Sequence, residues 1–293
     1  MNTLEKLSNE NKVNYQRYLK RMTESLKFST KGLIPSLVKD ANNILDVGCG
    51  SGVLLSAIEK VNPKARLTGI DLNKDAIEYL KQNSNWNVYH MNFFDVNEVF
   101  DTVIFSSILH EVSSYCDDNN KKFTYIPILE AFEKTRNILV SNGVVVLRDG
   151  LECDNLKKDN KVRISFTKPE DEYWLHKFKE DFRGFDKSDI NTTVEKVGDN
   201  NCIVSEGFLK EFLCTYTWGA SSFPREVQEK FGILTHDEWI RLLDETGFEI
   251  ERIIESEEEY EKYLSPKVSL TYLNGDKYNY PNMSILIRAR KKN

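Results

Sequence analysis

The feature that most constrains this chain is the seven-residue turn Asp46-Val47-Gly48-Cys49-Gly50-Ser51-Gly52. It follows a short apolar run, residues 43–47, that reads as a strand. It precedes residues 53–61, where Leu54, Leu55 and Ile58 stand at helical spacing. Glycines let the backbone turn sharply and approach a ligand without Cβ clashes. The helix that follows begins with N–H groups that have no partner within the helix. Strand, glycine turn and helix in this order place a nucleotide-type ligand at the edge of an open α/β sheet.

The chain around the turn keeps the same rhythm. Residues 66–70 form a second strand ending in Asp71, and Asn73 is a good N-cap for a helix over 74–82. Residues 86–91 and 100–106 are a third and a fourth strand. A long amphipathic helix over 122–139 closes at Ser141-Asn142-Gly143, and residues 144–147 are a fifth strand. Five alternations in about a hundred residues mean βαβ units and a mainly parallel sheet. The strands are continuous apolar runs, as expected when helices cover both faces. Thr235-His236-Asp237-Glu238 is a capping box for a helix ending at Thr246, and 248–254 and 283–289 read as two last strands.

The dinucleotide fingerprint needs a third glycine where this chain has Val53, and Asp46 would sit beside the phosphates. No Gly-Lys-Ser/Thr follows, which removes a P-loop. A cofactor carrying a sulfonium and an ammonium tolerates Asp46 far better than a diphosphate does. NAD-dependent oxidoreductase chemistry is correspondingly disfavoured.

Asp-Val-Gly-Cys-Gly-Ser-Gly resembles motif I of class I, Rossmann-like S-adenosylmethionine-dependent methyltransferases. The resemblance implies a seven-stranded mainly parallel sheet with helices on both faces and a helical or irregular cap. It implies S-adenosylmethionine as cofactor, held by Asp46, Gly48, Cys49, Gly50, Gly52, Asp71, Leu72, Phe94, Asp95 and Ser106. Asp71 resembles the acid that holds both ribose hydroxyls, since two carboxylate oxygens match a vicinal diol. Asn92-Phe93-Phe94-Asp95 resembles the segment beside the adenine, with Asp95 accepting from the exocyclic amine and Phe94 or Leu72 flanking the ring. Phe105-Ser106-Ser107-Ile108-Leu109-His110-Glu111 resembles motif IV, beside the methionine part and the acceptor. The likeness is strong over 40–150, present in outline over 235–293, and silent over 1–39 and 150–234.

His110 and Glu111 are the candidates for acceptor chemistry: a histidine can take a proton near neutral pH, and Glu111 can orient it or meet a substrate amine. A plain hydrogen-bonding loop histidine is the alternative. Arg148-Asp149, at the end of the fifth strand, either line the acceptor pocket or pair with each other. Tyr216-Thr217-Trp218-Gly219 supplies aromatics, Tyr216 and Trp218, that stack on a planar substrate or pack the insertion. Tyr15 and Tyr18, in an amphipathic helix over 12–29, are further candidate acceptor contacts.

The expected organisation is an N-terminal helical arm over 1–39, a cofactor-binding core over 40–149, an insertion or lid over 150–234, and completion of the core sheet over 235–293. Residues 1–40 carry eight Lys/Arg against four Asp/Glu, and this arm could meet an anionic substrate, although the whole chain has a net charge of −6. That total argues against a protein that coats nucleic acid non-specifically. Residues 151–190 carry nine Lys/Arg and ten Asp/Glu, a balance that suits a solvated lid rather than a phosphate-tracking groove. The five cysteines are scattered without zinc-site or redox spacing, so no metal is expected and reduced thiols are. No apolar run approaches the roughly 20 residues of a membrane span, and the polar start lacks a secretory signal, which points to the cytoplasm.

The leading functional expectation is methyl transfer to O or N of a small molecule in a capped pocket. Methylation of RNA, most plausibly a tRNA, through the basic arm is the alternative; neither Asn-Pro-Pro-Tyr nor a Pro-Cys nucleophile is present. A non-catalytic nucleotide-binding protein of the same fold is a further alternative.

Overall fold

The computed structural model describes residues 26–27, 29–187, 189–255 and 260–293. The candidate contacts Tyr15 and Tyr18 and most of the expected 12–29 helix lie outside the described residues.

Seven strands form the main sheet: β1 (Asn43–Val47), β2 (Arg66–Asp71), β3 (Asn87–His90), β4 (Phe100–Ser106), β5 (Leu139–Gly150), β9 (Phe248–Glu255) and β11 (Ser284–Lys291). Their spatial order is β3-β2-β1-β4-β5-β11-β9, and the pairs from β3 to β5 are parallel. Only β11 runs against its neighbours. The strand order therefore reverses between β1 and β4, the switch point at which an open α/β sheet leaves a crevice.

Both faces are buried, and each strand divides its apolar residues between them. Leu45, Val103, Phe105, Val145 and Leu147 face a layer with Phe132 from helix Ile126–Ile138 and Trp239 from helix His236–Glu245. Ile44, Ile104, Val144 and Val146 face Leu54, Leu55 and Ile58 of helix Val53–Val61 and Ile77 and Leu80 of helix Lys74–Asn83. The capping box at Thr235 forms as expected: its backbone N–H donates to Glu238 Oε2 at 2.8 Å. Between β3 and β4 the crossover is a single turn, Phe93–Asp95, rather than a helix. A cavity of about 320 Å³ remains there, lined by Leu45, Thr68, Ile70, Met91 and Phe100.

The cap is more regular than its charged, interrupted sequence suggests. Besides helices Glu172–Asp181 and Glu206–Thr217 it holds a four-stranded antiparallel sheet. This sheet comprises β6 (Lys161–Phe166), β7 (Glu195–Gly198), β8 (Asn201–Ser205) and, from much later in the chain, β10 (Val268–Thr271), in the order β10-β6-β8-β7. Its core is aromatic, with Phe166, Phe178, Phe208 and Phe212 packed edge to face. Alternation in short strands separated by polar loops is easily lost among Lys and Glu, which is why the sequence shows a lid but no sheet.

The cap joins the core where β5 ends. Leu151 N donates to Met283 O at 3.1 Å and Glu152 N to Leu234 O at 2.9 Å. At Gly150 the chain runs so close to residue 231 that an added Cβ would lie 2.0 Å from Phe231 O. Gly150→Ala should therefore cost about 1–3 kcal/mol through forced backbone displacement, read as a lower thermal midpoint. Gly198→Ala, whose Cβ would meet nothing closer than 3.8 Å, is the control and should change stability little.

Candidate functional site

The site is assembled at the C-terminal ends of β1, β2, β4 and β5. All three motif glycines have left-handed backbone, with φ of +70° at Gly48, +50° at Gly50 and +74° at Gly52. Their roles differ. A Cβ on Gly48 would strike the Ile108 side chain at 2.7 Å, and one on Gly52 would strike Trp86 at 2.6 Å. Gly50 faces open space, with nothing within 4 Å. Gly48 and Gly52 thus serve packing, and Gly50 lies at the opening where a ligand can come close. Gly48 N and Cys49 N donate to Ile70 O at 2.9 and 3.0 Å, which ties the turn to β2.

Asp71 completes this cradle. Its Oδ2 accepts from Gly50 N and its Oδ1 from Asn73 N, both at 2.7 Å. Burial raises its pKa, while those N–H groups and His90 pull it back. Asp46 is buried beneath the turn, and burial pushes it up to about 7 against the opposing charge of Lys31. Lys31, from the turn Thr30–Leu33, escaped sequence reasoning because a lone lysine in a basic segment carries no motif.

The residues that the resemblance assigns to the adenosine end differ in exposure. Leu72, next to Asp71 in the chain, is 57% exposed and Phe94 is 40% exposed, both large apolar side chains left uncovered. Asp95 is exposed at the end of the turn that Asn92 caps through a 3.0 Å bond from Phe94 N. Ser106 is buried, and its Oγ has no hydrogen-bond partner. An open Gly50, uncovered apolar side chains and an orphaned hydroxyl around one crevice fit an adenosyl cofactor, and the acids Asp46 and Asp71 suit a cationic one.

The segment after β4 is organised by Asp149 at the end of β5. Its Oδ2 accepts from Ile108 N at 3.0 Å and Leu109 N at 2.7 Å. Its Oδ1 accepts from Gly150 N at 2.8 Å and meets His110 Nδ1 at 2.6 Å. The His110 ring is 5% exposed and stacks on Phe231 with centroids 4.8 Å apart. Its Nε2 faces Glu229 Oε2 at 3.6 Å, and Tyr115 donates to Glu229 Oε1 at 2.8 Å. Burial alone would lower the His110 pKa, but Asp149 and Glu229 outweigh it and hold it well above the ordinary value. Glu111 is pushed up to about 8 by burial and by Glu229, and burial pushes Glu226 up to about 7 despite its 2.5 Å pair with Arg225.

His110 and Glu111 are therefore brought together with Glu229, Glu226 and Tyr115. The last three carry no signal in sequence, because Glu226 and Glu229 read as part of a charged surface run. Arg148 and Asp149 do not pair with each other. Neighbouring strand residues point to opposite faces, and Arg148 instead donates to Ser107 Oγ at 2.8 Å and Tyr260 Oη at 3.2 Å. Tyr216 is packed inside the cap, stacked on Phe212 with centroids 5.0 Å apart and under Lys267 Nζ. Core packing of the insertion is thus its observed role, and Trp218 follows on the same helix end, partly buried.

Two groups among the described residues have a metal-ligand composition: Glu172, His176 and Cys202 in the cap, and His110, Glu111 and Glu229 in the acceptor wall. All five cysteines are free and four are buried; burial raises every thiol, Cys153 to about 12 and Cys202 to about 11, as inert thiols require.

Comparison with known proteins accords with this geometry. A family model described as a methyltransferase domain matches residues 38–198. The ribosomal protein L11 methyltransferase of Dictyoglomus turgidum is 24% identical over 155 residues, covering 51% of this chain and 48% of that one. The ribosomal RNA large subunit methyltransferase G of Vibrio parahaemolyticus is 40% identical over 62 residues, 20% of this chain and 16% of that one. The chain thus spans about half or less of the curated relatives it matches. Among solved structures, the pyocyanin biosynthetic protein PhzM aligns with 99% of this chain and 62% of its own, at 15% identity and a TM-score of 0.52, a likeness of fold. With the motif I turn, the sheet order and this match over more than half its length, the chain belongs to the methyltransferase-domain family of Rossmann-like, S-adenosylmethionine-dependent enzymes.

Proposed function

We propose that this protein transfers a methyl group from S-adenosylmethionine to an oxygen or nitrogen of a small molecule held under the cap. The observation that carries the reading is the acceptor wall. His110, Glu111 and Tyr115 follow β4, and the cap segment bearing Glu226, Glu229 and Phe231 closes over them. An enclosed wall rich in carboxylates suits a compact acceptor that is neutral or cationic. It repels a phosphodiester chain, which proteins meet with Lys and Arg. The relatives named above act on a ribosomal protein and a ribosomal RNA, so their names alone do not choose the acceptor.

When bound, S-adenosylmethionine supplies an electrophilic methyl group on a sulfonium. The chain's own residues do the remaining work. Asp71 and the Gly50 approach hold the adenosine end, Asp46 and Ser106 face its charged part, and Leu72 and Phe94 flank the base. The cap fixes the acceptor in line with the methyl group. Positioning of this kind can supply roughly 7–11 kcal/mol of the barrier, so the reaction does not depend on a base.

Three outcomes test this. Asp71→Ala should weaken S-adenosylmethionine binding by about tenfold or more, the scale of a lost charged hydrogen-bonding group; titration calorimetry reads it, with NAD as the ligand that should not bind. Asp46, pushed up to about 7 by burial, is ionised above that pH, and a cation binds the ionised form better. Affinity should therefore rise as pH passes upward through 7, and Asp46→Asn should flatten the rise. Labelled-methyl transfer should appear in a metabolite extract and not in total RNA; label entering RNA alone would replace the small-molecule reading with the RNA one.

A further inference from the structure

The acceptor wall has a second property that methyl transfer by positioning does not use. The His110 ring is nine-tenths buried and its Nδ1 is committed to Asp149, an oxygen–nitrogen contact of 2.6 Å. Asp149 is itself fixed by the backbone N–H groups of Ile108, Leu109 and Gly150. The other ring nitrogen, Nε2, has only a long contact with a carboxylate, 3.6 Å to Glu229 Oε2. The Glu111 carboxylate, also turned into this space, accepts no hydrogen bond from any described residue. A ring nitrogen of His110 and one oxygen each of Glu111 and Glu229 all lie within 4.8 Å of one another.

We propose that His110, Glu111 and Glu229 form a divalent-cation site in the acceptor wall, with Asp149 as the outer carboxylate that orients the imidazole. Ligand atoms around an ion with bonds of about 2.1 Å stand roughly 3 to 4.2 Å apart, so small side-chain movements complete the coordination. A histidine that gives one ring nitrogen to a carboxylate and aims the other at two further carboxylates has the arrangement of a metal ligand with its supporting partner. One imidazole and two carboxylates suit Mn²⁺, Fe²⁺ or Zn²⁺. Charge points the same way: among the described residues, the positive groups that Asp149, Glu111, Glu226 and Glu229 meet here are His110 and Arg225. The cap group differs: Lys196 Nζ already lies 2.9 and 3.2 Å from the two oxygens of Glu172, so an ammonium fills the place of a cation there.

The open coordination positions would take an acceptor hydroxyl and lower its pKa. The hydroxyl proton then leaves to water, the oxygen lone pair forms the O–CH3 bond, and the S–CH3 electron pair stays on sulfur. This use of the ion rests on the function proposed above; cation binding itself does not.

The test uses the full chain, stripped with a chelator and titrated with Mn²⁺ in the absence of methyl donor, with free Mn²⁺ followed by electron paramagnetic resonance. One saturable site per chain is expected, with spin-echo modulation from a coordinated imidazole nitrogen. Glu111→Gln and Glu229→Gln should each weaken it at least tenfold. Glu111→Gln removes no hydrogen bond and should keep the wild-type thermal midpoint, so its loss of Mn²⁺ cannot be ascribed to unfolding. Glu172→Gln should bind as wild type. No saturable binding at millimolar Mn²⁺, no nitrogen modulation, or binding unchanged in both acceptor-wall variants would overturn the site. S-adenosylmethionine binding, measured separately on the same stripped protein, reports on the methyltransferase reading independently.

Discussion

The Asp149 carboxylate is the interaction on which the site depends. Four donors converge on its two oxygens: the N–H groups of Ile108, Leu109 and Gly150, and the imidazole of His110. Together they fold the chain after β4 back against the end of β5. Burial would push this carboxyl up, but His110 and the backbone donors hold it below the ordinary range, so the ionised form persists at the heart of the site. A buried charge is tolerated only when its hydrogen bonds are made, and here they are. Ile108, fixed this way, fills the space that Gly48 leaves by lacking a side chain. One carboxylate therefore sets both the donor turn and the acceptor histidine.

The backbone around it shows the same priority of site over local ease. Ser107 has a φ of +60°, an unfavourable conformation for a residue with a side chain. It is held by its N–H on Arg148 O at 2.7 Å and by the Arg148 guanidinium on its hydroxyl. Strain persists only where the surroundings over-determine it, and the β4–β5 junction does so from both faces: Arg148 works on one, Asp149 on the other.

The donor half of the molecule was legible because its chemistry is local. Asp46 to Gly52 and Asp71 lie at strand ends that hydrophobic runs mark in the sequence, and the parallel pairing from β1 to β5 follows from the βαβ rhythm. The acceptor half was legible only in part. His110 and Glu111 could be singled out beside β4, but Glu229 reaches them from 118 residues later, inside a stretch whose charges look like surface. The cap sheet was hidden for a similar reason: β10 pairs with β6 across about a hundred residues, and no turn signal links them. Tyr216 resolves one of two sequence alternatives in favour of packing. An aromatic cluster suggests a stacking surface, yet a cap of this size needs its own core and takes those rings for it.

The electrostatics of the two halves are linked. Under the function proposed above, a cationic donor next to Asp46 and Asp71 gives up water on binding, and the carboxylates take over that solvation. The acceptor wall places further carboxylates on the far side, where Glu111 feels Asp71 as a like charge. In a low-dielectric crevice such repulsion is costly unless positive charge enters. Lys31, Arg225 and His110 supply some of it, and each is already engaged with an acid. The remaining negative charge is best neutralised by what the site binds: the donor's positive charge on one side and a cation or cationic acceptor on the other. Donor binding then lowers the cost of assembling the acceptor wall, and the two events should reinforce each other through charge alone, with no movement of the sheet.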